Sequence, residues 1–334
     1  MYGSGQQAIV ALDQFSLTLS GDRPTFTAIA GESGSGKTTL ARLLLGFTRP
    51  TSGEVLYRGK ELWKMSRGDW LAFRQEVQAI FQDPFEVFNP FYKVDHLLTV
   101  PIARLRLAKS RAQARAQIEA ALTAVGLRPE DTLGRYPHQL SGGQRQRLTV
   151  ARALLLRPRL IIADEPVSMV DASLRATILE NLKTLHAEFG ISFVYITHDL
   201  TTAYQICDDI IVLYRGSVAE AGDVELVIKQ PQHPYSRLLI SSIPAPDVSE
   251  RWDDDNAPPA RTEVSSHSRQ GCLFADRCPA AMQMCSEEAP PLYRLDEQRA
   301  TACYLFNDRP VLAREAMGQV LARAGRTGII SSLE

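Results

Sequence analysis

The loop Gly31-Glu32-Ser33-Gly34-Ser35-Gly36-Lys37-Thr38-Thr39 dictates the architecture on both sides of it. It follows a short apolar run, Phe26–Ala30, and leads into Leu40-Ala41-Arg42-Leu43-Leu44-Leu45, which gives the order strand, glycine loop, helix. The pattern is G-x-x-x-x-G-K-[ST]. Gly34 and Gly36 let the backbone turn so that successive N–H groups point inward at phosphate oxygens, and a helix starting at Lys37 adds the positive end of its dipole. Lys37 can then neutralise charge between the outer phosphates while the Thr38 hydroxyl ligates Mg²⁺. An ordinary Gly/Ser turn before a helix has no need of Lys-Thr in this register.

A phosphate loop of this kind works with a carboxylate at the end of a neighbouring buried strand. Leu160-Ile161-Ile162-Ala163-Asp164-Glu165 supplies two, Asp164 to hold Mg²⁺ through water and Glu165 to polarise the water that attacks a γ-phosphate. Apolar runs at Ile191–Thr197 and Ile210–Tyr214, the latter closed by Arg215-Gly216, predict two more strands. Ile9–Leu19 alternates in the manner of a half-buried strand. Helical stretches at Arg147–Leu156, Ala172–Phe189 and Leu200–Cys207 separate the strands, so the expected fold is α/β with a mainly parallel sheet. Between Pro84 and Leu156 strand signals vanish and Arg111–Val125 reads as helix, which makes residues 84–156 a helical insertion subdomain. Leu140-Ser141-Gly142-Gly143-Gln144 introduces a helix from Arg145 onward. Ser141 would be its N-cap, and the two glycines would expose N–H groups as a second anion cradle.

With LSGGQ lying between the phosphate loop and the Asp-Glu strand, the stretch from Ile9 to Ser241 resembles the nucleotide-binding subunit of an ABC transporter. That resemblance implies a P-loop ABC ATPase core with ATP and Mg²⁺ as cofactors. It implies that Gly31–Thr39, the Q-loop residue Gln82 and an adenine-stacking Tyr2 bind ATP. Thr38, Gln82 and Asp164 would serve Mg²⁺, and Glu165 and the switch histidine His198 would be catalytic. Ser141, Gly142, Gly143, Gln144 and the D-loop residue Asp171 would reach the ATP of a partner across a head-to-tail dimer. ATP binding closes such a dimer and hydrolysis reopens it. Two features depart from the family pattern. The chain begins too late to include the strand that normally precedes the stacking aromatic, and Ser168-Met169-Val170-Asp171 stands where Ser-Ala-Leu-Asp is usual.

The tail narrows the resemblance. Gln232-His233-Pro234-Tyr235-Ser236 with Leu238–Pro244, Phe81–Phe85 through Asn89-Pro90, and Gly271–Pro279 with Cys285 and Cys303 resemble ATPase subunits of dipeptide/oligopeptide importers and their nickel-importing relatives. Taken by itself the first of these segments is a turn and a short helix. The cysteine spacing is C-x5-C-x6-C-x17-C. Four thiolates without a nearby histidine suit a soft site, and the tight C-x2-4-C pairs of structural zinc are absent. The resemblance implies a [4Fe–4S] cluster at Cys272, Cys278, Cys285 and Cys303, with zinc and free thiols as the alternatives. Cys207 reads as a small core residue. The expected organisation is a nucleotide-binding domain over 1–245, a polar, acidic linker over 246–270 and a C-terminal extension over 271–334, in which Pro310–Ala324 reads as a helix.

Composition sets the boundaries. In 334 residues, 37 Lys and Arg balance 38 Asp and Glu, so no basic excess advertises nucleic acid. The most apolar stretch, Leu148–Ala163, is broken by Arg152, Arg157 and Arg159 and is no membrane span. No signal peptide is visible in the opening residues. The expectation is a peripheral ATPase on the cytoplasmic side of the membrane, bound to two permease subunits and to a second ABC ATPase, identical or related. It would serve an extracytoplasmic binding protein only indirectly, and it would power uptake of peptides or a related cargo such as nickel chelates. The competing expectation is an ABC ATPase without a membrane partner, of the DNA-repair or translation type. That class usually carries tandem cassettes or long coiled-coil insertions. A third reading makes the cysteine tail a redox-sensing or assembly module.

Overall fold

The computed structural model describes residues 10–21, 23–83, 87–243 and 270–321. In chain order the strands are β1 (Phe26–Ala30), β2 (Leu56–Tyr57), β3 (Lys60–Glu61), β4 (Val77–Ile80), β5 (Leu160–Asp164), β6 (Ser192–Thr197), β7 (Asp209–Tyr214), β8 (Ser217–Asp223), β9 (Tyr293–Asp296) and β10 (Arg299–Thr301). The α-helices of the first half are α1 (Lys37–Leu44), α2 (Arg67–Glu76), α3 (Asp95–Leu105), α4 (Arg111–Ala124), α5 (Pro129–Thr132) and α6 (Gly142–Leu155). They continue with α7 (Ala172–Phe189), α8 (Leu200–Ile206), α9 (Val224–Lys229), α10 (Pro234–Ser241), α11 (Met284–Glu287) and α12 (Gly318–Leu321). Two compact units divide them. One takes Ser20–Phe26 and Thr38–Ile196. The other takes Thr27–Lys37, Thr197 onward and the described part of the first nineteen residues.

In the first unit β4, β5 and β6 run parallel, with Val77 opposite Leu160 and Leu160 opposite Ser192. Ile161, Ile162, Ala163, Phe193, Val194, Tyr195 and Ile196 are all buried, so these strands are covered on both faces and read as continuous apolar runs. Phe26 stacks on Phe193 with ring centroids 4.6 Å apart. Each such side chain contributes roughly 1.5–3 kcal/mol by leaving water. The insertion is helical as expected. Ser110 caps α4 by accepting from the Gln113 amide, and Ile118, Ala121 and Leu122 form its buried stripe toward α6. Strand β4 follows α2 with no turn residue between them, Val77 serving as the helix C-cap, and nothing in the local sequence announces that change.

In the second unit β1 pairs parallel with β7, Thr27 opposite Asp209. Arg215 and Gly216, both at positive φ (45° and 88°), turn β7 into the antiparallel β8. Strand β10 pairs antiparallel with β8, and β9 with β10, so the C-terminal extension supplies two strands to this sheet. Two expectations fail here. Residues 10–19 form no strand. The segment lies against the β7–β8 turn instead, the Asp13 amide donating to the Gly216 carbonyl at 2.9 Å. The stretch from Pro310 is not one helix either. Arg294 and Leu292 exchange backbone bonds with Pro310 and Leu312, which holds that part extended, and only Arg314–Ala316 and Gly318–Leu321 coil. Leu312, Val320 and Leu321 are nevertheless buried and Ala316 half-buried; residues 322–324 lie outside the described residues.

Candidate functional site

The loop after β1 belongs to the second unit. Gly31 (φ 150°) and Gly36 (φ 104°) are the positions that admit no side chain. A Cβ on Gly31 would overlap the Leu213 carbonyl oxygen, and one on Gly36 would overlap that of Ala11. The turn at Gly216 braces the loop, its amide donating to the Ser35 carbonyl at 2.9 Å. Lys37 is buried within the loop it follows. Its ammonium donates to the carbonyls of Gly31 (2.7 Å) and Glu32 (2.9 Å) and to Ser35 Oγ (3.4 Å). Ser33, Gly34 and Thr38 are exposed, and Thr39 is half-buried. Such a loop presents backbone N–H groups and one cation at the start of α1, an arrangement that suits polyphosphate. His198 is exposed just past β6. The next residue, Asp199, caps α8 by accepting from the amides of Thr201 (2.9 Å) and Thr202 (3.4 Å).

The other candidate residues lie in the first unit. Asp164 ends β5, and Glu165 follows with φ 46°, a left-handed backbone that a non-glycine residue adopts at a cost of roughly 1–2 kcal/mol. It is held there by its amide, which donates to the Ile196 carbonyl (2.9 Å), and by its carbonyl, which accepts from the Ser168 amide (3.2 Å) and hydroxyl (3.0 Å). Ser141 caps α6 as expected, in a full capping box. Its Oγ accepts from the Gln144 amide at 3.2 Å, and Gln144 Oε1 accepts from the Ser141 amide at 2.9 Å. The helix therefore starts at Gly142, three residues earlier than Arg145. Gly143 is packed against Leu174. Asp171 stands at the N-cap position of α7 with no side-chain cap bond, and Gln82 is exposed. Tyr2 lies outside the described residues.

Sequence reasoning passed over Gln146. It is 1% exposed on α6, and its Nε2 donates to the carbonyls of Pro166 (2.8 Å) and Phe81 (3.4 Å). One amide thus fastens the residue before Gln82 and the residue after Glu165 to the helix that opens at Ser141. The only signal for it was a polar side chain on the buried face of a helix.

Cys272, Cys278, Cys285 and Cys303 line one pocket together with His233, Phe274 and Tyr304. Backbone amides of Phe274 and Ala275 point at the Cys272 sulfur, those of Ala280 and Leu305 at Cys278 and Cys303, and that of Met282 lies 3.4 Å from Cys285 Sγ. Burial nevertheless pushes the thiols of Cys272 and Cys278 up, and that of Cys303 to about 11. Among the described residues no group of three or more His, Cys, Asp or Glu side chains could hold a metal ion. The donor types suit a soft metal, but their packing does not fit one, so the structure does not support the expected cluster. Cys207 is a buried core thiol, its proton held by desolvation.

Residues 12–168 match the family model described as ABC transporter, and residues 219–285 match that of the oligopeptide/dipeptide transporter C-terminal region. The putative oligopeptide transport ATP-binding protein YkfD of Bacillus subtilis is 40% identical over 84% of this chain and 85% of its own length. The oligopeptide transport ATP-binding protein OppF of Escherichia coli is 39% identical over 79% of each. The di/tripeptide transport ATP-binding protein DppF of Pseudomonas aeruginosa is 38% identical over 90% of this chain and 91% of its own length. Among solved structures, a dimeric post-hydrolysis state of the ATP-binding cassette MJ0796 bound to ADP and Pi superposes with a TM-score of 0.60 at 30% identity, covering 67% of this chain and 94% of that one. The fold is that of an ABC ATPase. The chain belongs to the ABC transporter family, as one of its ATP-hydrolysing, ATP-binding proteins.

Proposed function

We propose that the chain is the ATPase subunit that powers peptide uptake through an ABC importer. The observation that carries this reading is the union, in one chain, of a phosphate loop closed on Lys37 with the His233–Tyr235 segment, inside the match to the C-terminal region of oligopeptide and dipeptide transporters. In this reading Gly31–Thr39 bind the phosphates of ATP, and Thr38, Asp164 and Gln82 serve Mg²⁺, which would neutralise charge developing on the phosphates. Glu165 orients and polarises the attacking water, and its left-handed backbone fixes where the carboxylate starts. His198 contacts the γ-phosphate. The Ser141–Gln144 helix start and Asp171 serve the ATP of a second ATPase subunit. The assembly would rest on two permease subunits at the inner face of the membrane; no helix among the described residues is long and apolar enough to cross one. Residues 1–245 form the nucleotide-binding domain and 271–334 the extension.

The test separates binding from chemistry. Lys37→Ala should abolish ATP binding, whereas Glu165→Gln should bind ATP and hydrolyse it at least about 100-fold more slowly. Peptide uptake by cells carrying either variant as sole copy should stop. Glu165→Gln hydrolysing at the parental rate, or unchanged uptake, would sink the proposal. A [4Fe–4S] cluster at Cys272, Cys278, Cys285 and Cys303 is the finer claim. It needs those thiols deprotonated and their pocket opened, and no step of hydrolysis is assigned to it. The donor types and the amides aimed at the sulfurs speak for it, and the packing of the four cysteines speaks against it. Iron and zinc analysis with a visible spectrum, on anaerobically purified protein and Cys278→Ser, distinguishes cluster, zinc and free thiols.

A further inference from the structure

Glu32 is the second residue of the phosphate loop, and three separate groups hold it. Its carbonyl accepts from the Lys37 ammonium at 2.9 Å, which makes it half of the cradle that fixes that cation. Its amide donates to the Tyr235 hydroxyl at 2.9 Å. Its carboxylate takes a two-pronged bond from Arg277, with Nη1 to Oε2 at 3.1 Å and Nη2 to Oε1 at 3.0 Å. Both of the latter partners come from the far end of the chain, and both are themselves immobilised. Tyr235 is fully buried at the second position of α10. There His233 caps the helix, Nδ1 accepting from the Tyr235 amide at 3.0 Å, and Pro234 sets the first turn. The Arg277 guanidinium lies over the rings of Phe274 (5.6 Å) and Tyr214 (5.8 Å) and donates to the Tyr214 hydroxyl at 3.3 Å. Its side chain is 13% exposed and that of Glu32 29%, so the pair is shielded more than a surface salt bridge.

We infer that Arg277 and Tyr235 are positioning residues for the nucleotide loop: through Glu32 they hold the Gly31–Lys37 backbone and the Lys37 ammonium in the geometry that receives ATP. The inference rests on the reading of that loop as the phosphate site. It gives the tail a part in nucleotide affinity that no metal is needed to explain. Releasing Glu32 leaves every phosphate-contacting group in place but lets the loop wander before ATP arrives, so the loss falls on binding rather than on chemistry.

The experiment measures affinity for a non-hydrolysable ATP analogue by calorimetry, and steady-state ATPase kinetics, on the full-length protein. Arg277→Gln should weaken binding about tenfold and raise KM in parallel while leaving kcat within about twofold. Arg277→Lys should recover only part of the affinity, because an ammonium cannot make both bonds. Tyr235→Phe, which removes one hydroxyl from a preserved ring, should also raise KM at constant kcat. Glu32→Gln should match Arg277→Gln, and the double variant should be no worse than either single one. If Arg277→Gln fails to fold, Glu32→Gln, on a partly exposed side chain, carries the same test. Unchanged affinity in Glu32→Gln or Arg277→Gln, or losses that simply add in the double variant, overturn the inference. Lys37→Ala binding ATP normally would instead overturn the reading of the loop, and the inference with it.

Discussion

His233 gives the tail-bearing unit a calculable weakness to acid. The ring is 3% exposed, and one of its bonds needs the neutral form: Nδ1 accepts from the Tyr235 amide at 3.0 Å, while the ring's bond to the Ala302 backbone survives protonation and opposes the shift in part. A second proton on Nδ1 would face an N–H and a dry pocket, and burial accordingly pulls the imidazole from 6.5 down to about 4. The unfolded chain binds this proton below about pH 6.5 and the folded chain does not, so stability is complete above that pH and falls through the window down to about pH 4. A pH of 5 lies about one and a half units below the ordinary value, which removes ~2 kcal/mol, or about thirtyfold in the opening equilibrium. Native-state hydrogen exchange over Val218–Ser241, corrected for the intrinsic rate at each pH, reads that quantity directly. His233→Asn is the control, since its side-chain oxygen can accept from the Tyr235 amide but cannot titrate. It should start less protected at pH 8 and then lose little on going to pH 5. Glu220, whose buried carboxylate is pushed up and accepts from the amides of Gln232 and His233, contributes with the opposite sign and is common to both proteins. Parallel losses of protection in wild type and variant between pH 8 and 5 would refute the assignment to His233.

Gly143→Ala should destabilise the unit that carries α6 by about 1–3 kcal/mol, because the new methyl overlaps Leu174 Cδ2 and comes within 2.8 Å of Leu174 Cγ. Thermal unfolding should show the loss, and adding Leu174→Ala should recover part of it; an unshifted midpoint in Gly143→Ala refutes the packing argument. Ser141→Ala should cost roughly 0.5–2 kcal/mol by removing the cap on Gln144. Ser141→Asp can keep that cap while placing a negative charge where the proposed role needs an anion cradle. The expected outcome for Ser141→Asp is therefore near-normal stability with depressed ATPase. Full activity in that variant would confine Ser141 to capping.

The chemistry-bearing segments were legible because each combines a local rule with a loop. The α7 limits, Ala172 and Phe189, follow from the apolar stripe and from Gly190 in the left-handed conformation just beyond. Strands β5, β6 and β7 declare themselves as apolar runs because both their faces are covered. The helix after Ser141 starts three residues before Arg145; the paired glycines read as loop although Ser141 and Gln144 spell a capping box. What stayed hidden is what depends on distant partners. Tyr293–Asp296 and Arg299–Thr301 are short and polar and become strands only because β8 offers an edge. Val10–Leu19 has a strand's alternation and finds no strand to pair with. Arg277 reads as one more polar residue between cysteines, and its 245-residue separation from Glu32 carries no local signal.

The pairing of β10 on β8 also makes the tail a seal. The Ala302 amide and the Thr301 hydroxyl both satisfy the Ala219 carbonyl, at 2.8 and 3.1 Å, and the Asp223 amide donates to Gln298 at 2.9 Å. A chain clipped after Ile243 would bare that row of backbone groups along a strand whose side chains are largely buried. An unpaired edge of this kind offers its backbone groups to strands from other molecules. Removing residues 270–321 should therefore promote self-association through β8, which size-exclusion chromatography would read as a shift to larger species.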